Sequence, residues 1–462
     1  MARDATYGQA INGLSFQGQA LTSFKGYQYT IFYVTEPATA PAAHVAVSRR
    51  KLPDGPWQTI DLADSVFKNG VKKGTNEPFD AHNSASIAVC PNDGTIHIAY
   101  DHHNHLLRYR RSKPGVATDP DGATWDASVF APETTQLIDG QAVDKVSYPD
   151  FQRTPSGDLQ LFMRRGGSGR GSWWLFNYDA ATHTWKDGWQ YDDGMTGVYE
   201  AFDPPSTSRC AYPNGFTYGP DGKLHISFTW REGTGAAALA KNGCNHDICY
   251  VASSDGGRTW ENNAGQVVGK HDAPGGPTRF NIESPGLTVI NVTQFESMIN
   301  EQAQAVDSAG RMHVLMYRLD PAKGTQKPGG PVWRTEDSTY AHNWRDAGGV
   351  WHESRVPAVV GTRPKLAFDR ADNAYAVFGS SATPGIRAID RQLVVATASK
   401  ASNWTDWKVV YTLPGAAIGE PLLDASRMQT DGVLSVFLQD SPKKERETTA
   451  IRVVDFAVKA SH

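Results

Sequence analysis

Two histidines, His82 and His102, stand just outside two short apolar runs between residues 80 and 105. The runs SASIAV and TIHIAY have the length of strands and alternate or nearly alternate apolar residues, and residues 91–94 (PNDG) form a turn signal between them. This pattern predicts a β-hairpin, in which the start of the first strand lies beside the end of the second. His82 should therefore meet the cluster that contains His102, and two imidazoles able to exchange protons near neutral pH would share one sheet edge.

A turn followed by an alternating apolar strand recurs along the whole chain, in copies about 60 to 90 residues apart. That distance accommodates one four-stranded sheet per copy, which is the spacing of blades in a β-propeller. The sequence therefore predicts an all-β fold, a single seven-bladed β-propeller that forms one domain over residues 1–462. The seven copies begin at Gly26, Asp93, Ser156, Asp221, Ala309, Asp372 and Asp431.

The residues that open the strand before each repeat, and those that close the repeat itself, are mostly polar or aromatic. Asn83, Tyr148 and Tyr212 belong to the opening positions, whereas Arg164 and Arg231 belong to the closing positions. If the inner strands of all blades run side by side around the axis, both sets lie at one mouth of the central channel. The sequence thus predicts a funnel lined with histidine, tyrosine, arginine and carboxylate groups.

Composition and charge exclude several classes of partner. A formal net charge of −4 argues against binding to nucleic acid or to an anionic membrane surface. No apolar run approaches the roughly 20 residues of a membrane-spanning helix, and residues 1–4 lack the apolar core of a signal peptide. Glycosylation sequons at Asn291 and Asn403 favour secretion, so we expect an extracellular monomer whose signal peptide is absent from this sequence.

Several arginines, histidines and tyrosines without an obligatory carboxylate pair suit an anionic substrate and proton transfer better than glycoside hydrolysis. β-Elimination on a uronic acid fits this set. The reaction removes the C5 proton next to a carboxylate and expels the oxygen on C4, so it needs a cation, a base and an acid. Arginine, histidine and tyrosine supply these three roles, and we expect no cofactor for catalysis, although a structural metal ion is compatible with the sequence.

Four features together resemble the BNR-repeat polysaccharide lyases: SSDGGRTW from Ser253, NHDICY from Asn245, FDAHNSAS around His82, and the ordered series His82, His102, Tyr148 and Arg164. That family has seven-bladed propellers and includes ulvan lyases and L-rhamnose-α-1,4-D-glucuronate lyases. The resemblance implies a carbon–oxygen lyase that acts on an anionic, uronate-containing glycan. We expect cleavage of the rhamnose-α-1,4-glucuronate linkage of gum arabic, with release of rhamnose and an unsaturated uronate, and an endo-acting ulvan lyase is the alternative.

The same resemblance implies roles for individual residues. His82, His102 and Tyr148 would carry the proton chemistry and Arg164 would neutralise the uronate. We favour His82 and Tyr148 as the acid–base pair, with either as the base. The expected substrate-binding residues are Tyr212, Asn83, Arg231 and Arg334.

Three further interpretations stay open on the sequence. The cluster at residues 101–105 could ligate a metal, and Cys244, His246 and Cys249 could bind zinc, although Cys244 could equally form a disulfide with Cys249 or Cys210, or the thiols could be free. A sialidase-like hydrolase is the first alternative function, and its early Arg-Ile-Pro motif is absent here. A non-catalytic glycan-binding propeller is the second alternative.

Overall fold

The computed structural model describes residues 2–3, 11–13, 19–34, 43–71, 80, 82–83, 85–238, 245–296, 298–323, 335–381, 391–417, 419–443 and 447–458. Most regular structure in these residues is β-strand. The described part of the chain contains one short α-helix, α1 (Ala425–Asp431). Within the described residues, no helix has the length and apolarity to cross a membrane.

The first half of the described chain forms three antiparallel sheets, which we call blades 1 to 3. A short N-terminal strand, β1 (Ala2–Arg3), precedes them. Blade 1 contains β2 (Leu21–Phe24), β3 (Tyr27–Val34), β4 (His44–Lys51) and β5 (Gln58–Leu62). Blade 2 contains β6 (Ser86–Val89), β7 (Ile96–Ala99) and β9 (Tyr109–Arg111), and the intervening β8 (His103–His105) belongs to the next sheet. After the small hairpin of β10 (Gln136–Ile138) and β11 (Gln141–Ala142), blade 3 contains β12 (Val146–Arg153), β13 (Leu159–Arg165), β14 (Ser172–Asp179) and β15 (Thr184–Gln190).

The second half forms blades 4 to 7. Blade 4 contains β16 (Arg209–Pro213), β17 (Thr217–Tyr218), β18 (Leu224–Glu232), β19 (Asn245–Ser253), β20 (Thr259–Glu261), β21 (Val267–Lys270) and β22 (Thr288–Ile290). Blade 5 contains β23 (Ala303–Val306), β24 (Met312–Leu319), β25 (Ser338–Arg345) and β26 (Trp351–Val356), and blade 6 contains β27 (Lys365–Phe368), β28 (Ala374–Ser381), β29 (Arg391–Ala398) and β30 (Lys408–Pro414). Blade 7 contains β31 (Leu422–Leu423), β32 (Val433–Gln439) and β33 (Ala450–Ala457), and β1 pairs with β33 as its outer strand.

The seven sequence repeats each supply one second strand of a blade. These are β3, β7, β13, β18, β24, β28 and β32, each of which begins within three residues of a turn in the repeat and pairs with the strand before it. Because every repeat contributes the same strand to its own sheet, the predicted seven-bladed β-propeller is confirmed. The residues that open and close the first hairpin of each blade consequently gather at one end of the propeller.

Packing between neighbouring sheets forms the core, because alternate side chains of each strand face the next blade. Tyr29 and Ile31 of blade 1 and Ile87 and Ile98 of blade 2 belong to one buried cluster, which also includes Phe437 of blade 7. Each of these side chains is at most 1% exposed. Blades 7, 1 and 2 therefore share one apolar interior.

The SSDGGRTW segment forms a turn between β19 and β20, as the sequence motif predicts. Asp255 Oδ1 accepts hydrogen bonds from Ser253 Oγ and from the Thr259 backbone, both at 2.8 Å. The indole of Trp260 is 1% exposed and packs on Tyr191 with ring centroids 5.2 Å apart. The motif thus fixes a turn and anchors it in the core.

One departure from regular blade topology determines where the functional groups lie. After β7, the backbone adopts left-handed φ values at Asp101 (61°) and Asn104 (65°). The chain between them leaves blade 2, and β8 pairs with β12 of blade 3, so that His103 lies opposite Ser147. This crossing brings residues of blade 2 against the first residues of the inner strand of blade 3.

Candidate active site

A stacked pair of histidines forms the accessible part of the site. The rings of His82 and His103 are nearly parallel, with centroids 4.5 Å apart and 14° between their planes. Asp80 contacts both rings, since His82 Nδ1 lies 2.7 Å from Oδ1 and His103 Nδ1 lies 2.6 Å from Oδ2. The side chains of His82 and His103 are 44% and 28% exposed, so both imidazoles can meet a ligand.

His102 does not join this pair. Its side chain is fully buried, and its Nε2 accepts a hydrogen bond from the Arg108 backbone N–H at 2.6 Å. Burial, aided by the charge of Arg108, lowers the pKa of His102 to about 3, so the ring is neutral at all physiological pH values. The left-handed residues on either side of the His102–His103 dipeptide turn His102 into the protein and His103 towards His82. The structure therefore brings His103 beside His82, the position that the sequence predicted for His102.

Tyr148, Arg164 and Tyr212 lie together beside the histidine pair. The guanidinium of Arg164 lies 4.7 Å from the Tyr148 ring centroid and donates a hydrogen bond to the Tyr212 hydroxyl at 2.6 Å. Arg164 also donates to Ser147 Oγ at 3.1 Å, and the ring of His103 lies 5.9 Å from that of Tyr148. The hairpin of β12 and β13 explains this grouping, because Ser147 and Arg164 are direct partners across the two strands.

Burial determines the protonation of the two tyrosines. Tyr148 and Tyr212 are each 2% exposed, and burial raises the pKa of both phenols, although the positive charge of Arg164 opposes the rise. Both phenols are therefore protonated at neutral pH and can donate a proton. Tyr148 has a left-handed φ of 56°, which is costly for a residue with a side chain and is typical of functional sites.

The remaining sequence-predicted residues lie at different depths. The guanidinium of half-buried Arg231 lies 6.0 Å from the Tyr212 ring centroid. Asn83 is buried, and its side-chain amide donates to the Asn69 carbonyl at 3.1 Å, so it holds a neighbouring loop. Arg334 lies outside the described residues.

Two acidic residues near the site were not given roles by sequence reasoning. Glu301 is fully buried with a φ of 58°, and its charge contributes to the raised pKa of Tyr148. Asp80 joins the two histidines. Its position two residues before His82 was the available signal, because an aspartate can hydrogen-bond the chain two residues on, and the His82 backbone N–H does donate to Asp80 at 3.0 Å.

The Asp80–His82–His103 group also satisfies the composition of a metal site, since one ligand atom from each residue lies within 4.8 Å of the others. The two ring nitrogens, however, approach the carboxylate oxygens to 2.7 and 2.6 Å. Two ligands of a tetrahedral Zn²⁺ at about 2.0–2.1 Å from the ion would lie roughly 3.3 Å apart. The observed distances fit hydrogen bonds between imidazole and carboxylate.

The second possible metal region is only partly described. Cys244 lies outside the described residues, whereas Cys90, Cys210 and Cys249 are buried free thiols. His246 is buried, stacks on Tyr199 with centroids 4.0 Å apart and lies 3.0 Å from Glu232 through Nε2. Cys249 faces Thr288 at 3.7 Å. His246 and Cys249 therefore contact protein side chains, namely Tyr199 and Glu232 for His246 and Thr288 for Cys249.

Seven sheets arranged as blades, with imidazole, phenol and guanidinium groups gathered at one mouth, define a β-propeller with a partly open polar site. A sequence profile described as BNR repeat-containing family member matches residues 27–359. The chain belongs to this family.

Its relatives include bacterial ulvan lyases. The long isoform of ulvan lyase from Pseudoalteromonas sp. (strain PLSV) is 25% identical over 285 residues, which cover 55% of this chain and 27% of that protein. The long isoform from Glaciecola sp. (strain KUL10) is 28% identical over 201 residues, which cover 37% and 19% of the two chains. The chain therefore spans about a quarter of the length of the curated relatives it matches.

Solved structures show the same fold over nearly the whole chain. The polysaccharide lyase Uly1 superposes with a TM-score of 0.69 at 19% identity, covering 98% of this chain and 92% of that one. An ulvan lyase bound to -[GlcA(1-4)Rha3S]- superposes with a TM-score of 0.66 at 15% identity, covering 98% and 94%. These relatives are named for ulvan cleavage, which was the alternative expectation from the sequence.

Proposed function

We propose that this protein is a polysaccharide lyase that cleaves a 4-linked uronate by β-elimination. The observation that carries the proposal is the meeting of an accessible histidine pair, a protonated tyrosine and a buried arginine at one mouth of the propeller. These are the base, the acid and the cation that the reaction needs. The ulvan lyases among its relatives support the same reaction class.

The reaction divides between the two sides of the site. An imidazole of the His82–His103 pair removes the C5 proton of the uronate. The electron pair forms the C4–C5 double bond as the C4–O bond breaks. Tyr148, whose raised pKa keeps its phenol protonated, gives its proton to the departing oxygen. No oxidant, reductant or water is consumed.

Arg164 and Arg231 supply positive charge for the uronate carboxylate, and hence for the negative charge that develops when the C5 proton leaves. Arg164 lies fully buried between the rings of Tyr148 and Tyr212, so it acts from beneath the site and holds both phenols in place. Arg231 is partly exposed, and its guanidinium lies 6.0 Å from the Tyr212 ring centroid. Tyr212 shares the hydrogen bond with Arg164 and stiffens this arrangement.

The proposed substrate is a glucuronate linked through O4 in an anionic extracellular glycan, with ulvan as the first choice. Ulvan is named in all of the curated relatives reported above. The rhamnose-α-1,4-glucuronate ends of gum arabic contain the same uronate chemistry and are the second choice. The enzyme would act outside the cell, where such glycans occur.

The experiment offers ulvan and gum arabic separately to the purified protein and follows the ultraviolet absorbance of the C4–C5 double bond. We expect new absorbance with at least one glycan and its loss, by about 10²- to 10⁴-fold in rate, in Tyr148→Phe. Release of rhamnose would indicate the gum arabic linkage, and unsaturated oligosaccharides would indicate ulvan. New reducing ends without absorbance would establish hydrolysis and overturn the proposal.

A further inference from the structure

We propose that Asp80 is a positioning residue that sets the tautomer of both His82 and His103, by accepting a hydrogen bond from Nδ1–H of each ring. The inference rests on the proposed function for its kinetic consequences, but the tautomers themselves can be observed without activity. One carboxylate would then orient both rings, so the two histidines would not be oriented independently.

The two contacts use different oxygens of one carboxylate. His82 Nδ1 lies 2.7 Å from Oδ1 and His103 Nδ1 lies 2.6 Å from Oδ2, and both distances belong to strong, charge-assisted hydrogen bonds. An ionised carboxylate only accepts, so the proton of each contact must reside on Nδ1. The lone pair of each neutral ring is then on Nε2, which is the basic nitrogen of that tautomer.

The carboxylate is itself held in place. The His82 backbone N–H donates to Oδ1 at 3.0 Å, and the Asp80 side chain is 21% exposed. Burial opposes its charge, but the hydrogen bonds from His103 and His82 outweigh burial and hold the pKa of Asp80 well below its usual range. Asp80 therefore stays an acceptor throughout the pH range in which the protein would work.

The stacking of the rings makes the shared carboxylate more important. Two imidazolium rings 4.5 Å apart would repel, and Asp80 carries one negative charge that balances one added proton. Burial and the positive charge of Arg164 further lower the pKa of His103, against the effect of Asp80.

Asp80→Asn tests this arrangement because an amide offers one acceptor and one donor group. One histidine can keep its Nδ1–H against the amide oxygen. The other ring must face the NH₂ group and accept through Nδ1, which moves its proton to Nε2. The variant therefore changes one tautomer at almost constant side-chain volume.

The first measurement is the ¹⁵N spectrum of histidine-labelled protein, with the His82 and His103 signals assigned by His82→Gln and His103→Gln. We expect Nδ1–H on both rings in the unaltered protein and one ring converted to Nε2–H in Asp80→Asn. An Nε2–H tautomer on either ring of the unaltered protein would overturn the proposal. This result does not depend on whether a substrate has been found.

The second measurement is kinetic, on the glycan that gives the double-bond absorbance. Asp80→Asn should lower kcat by roughly 10- to 100-fold with little change in KM, and formate should restore part of the rate in Asp80→Ala. Asp346→Asn is the matched control, since Asp346 holds His352 Nε2 at 2.8 Å on an outer strand away from the site. An effect confined to thermal stability, with kcat unchanged and no rescue by formate, would show a merely structural role.

A metal ion is the competing explanation for the same three residues. Metal analysis of the purified protein and treatment with a chelator separate the two. Loss of activity on chelation with recovery on adding Zn²⁺, together with bound metal that disappears in Asp80→Asn, would overturn the positioning role. Unchanged activity after chelation supports it.

Discussion

Two stacked histidine pairs, each beside an aspartate, occupy opposite settings in the described part of the propeller. At the mouth, His82 and His103 stack at 4.5 Å and both hydrogen-bond to Asp80. Inside blade 5, His313 and His342 stack at 5.2 Å and bond to each other, with His313 Nδ1 3.0 Å from His342 Nε2. The histidines of the first pair thus share a carboxylate, whereas those of the second pair hydrogen-bond to each other.

Solvent access separates the two pairs. His313 and His342 are fully buried, and burial lowers the pKa of both, so they are neutral packing groups enclosed by Trp404. The mouth pair is partly exposed. A histidine pair is therefore no indication of catalysis by itself. Exposure to solvent is what distinguishes the mouth pair, for which we propose a role in proton transfer.

The largest expected difference is in activity. His82→Gln and His103→Gln should each lower kcat on the cleaved glycan by about 10²- to 10⁴-fold, because each removes a ring from the proton-transfer pair. His342→Gln should leave kcat per folded molecule within about twofold of normal, since it lies inside blade 5. The measurement is the initial rate of double-bond absorbance, corrected for the folded fraction.

His102→Gln sharpens this prediction within one dipeptide. The buried His102 accepts from the Arg108 backbone, so we expect lower stability and a nearly normal kcat. A large loss of kcat in His102→Gln with a normal rate in His103→Gln would reverse our assignment of the two residues.

Much of the fold could be predicted because the sequence repeats indicate the number of blades and one strand of each blade. Each of the seven turn-and-strand copies became the second strand of a blade. The strand β8 could not be predicted, because His103–His105 has no apolar alternation and pairs with the neighbouring blade instead of its own hairpin. Its partner is selected by tertiary packing, which a local pattern does not record.

The site was predicted as a cluster but not residue by residue. Alternation brings the residues after β7 towards His82, and it fails at Asp101 and Asn104, whose left-handed backbone breaks the period of two. That break decides between His102 and His103. Arg164 was placed correctly beside Tyr148, yet its complete burial follows from Tyr212 and Ser147 of neighbouring strands, which sequence order alone does not bring together.

The second prediction concerns packing around the buried pair. Trp404 is fully buried, its ring lies 4.5 Å from that of His313, and its indole N–H donates to the Asp372 carbonyl at 2.8 Å. Trp404→Ala should lower the free energy of unfolding by about 3–5 kcal/mol through the cavity and the lost contacts. Denaturant unfolding measures this change.

The rate per folded molecule in Trp404→Ala should stay close to normal, because the buried pair serves the blade and not the reaction. A fall in kcat comparable to that of His103→Gln, with little loss of stability, would mean that the two pairs are functionally coupled.

The smallest expected effect is on the pH dependence of stability. His313 and His342 have lowered pKa values in the folded protein, whereas in the unfolded chain they titrate near the ordinary value of 6.5. Below that pH the unfolded chain binds protons that the folded protein does not, so the free energy of unfolding falls as pH drops. Each such histidine adds a slope of at most about 1.4 kcal/mol per pH unit.

In the double variant His313→Gln, His342→Gln, the free energy of unfolding should depend less steeply on pH between roughly pH 6 and pH 4.5, just below the ordinary histidine pKa. This expectation holds whatever the absolute stability of the variant. Asp307 and Arg311, the charged groups nearest His313, are retained and continue to titrate or stay charged in both proteins. His313 also helps to lower the pKa of Asp307, so the difference in slope reports the two histidines together with the change that their removal causes in Asp307. An unchanged slope would mean that the buried pair binds protons in the folded state as readily as in the unfolded chain, and it would contradict the prediction.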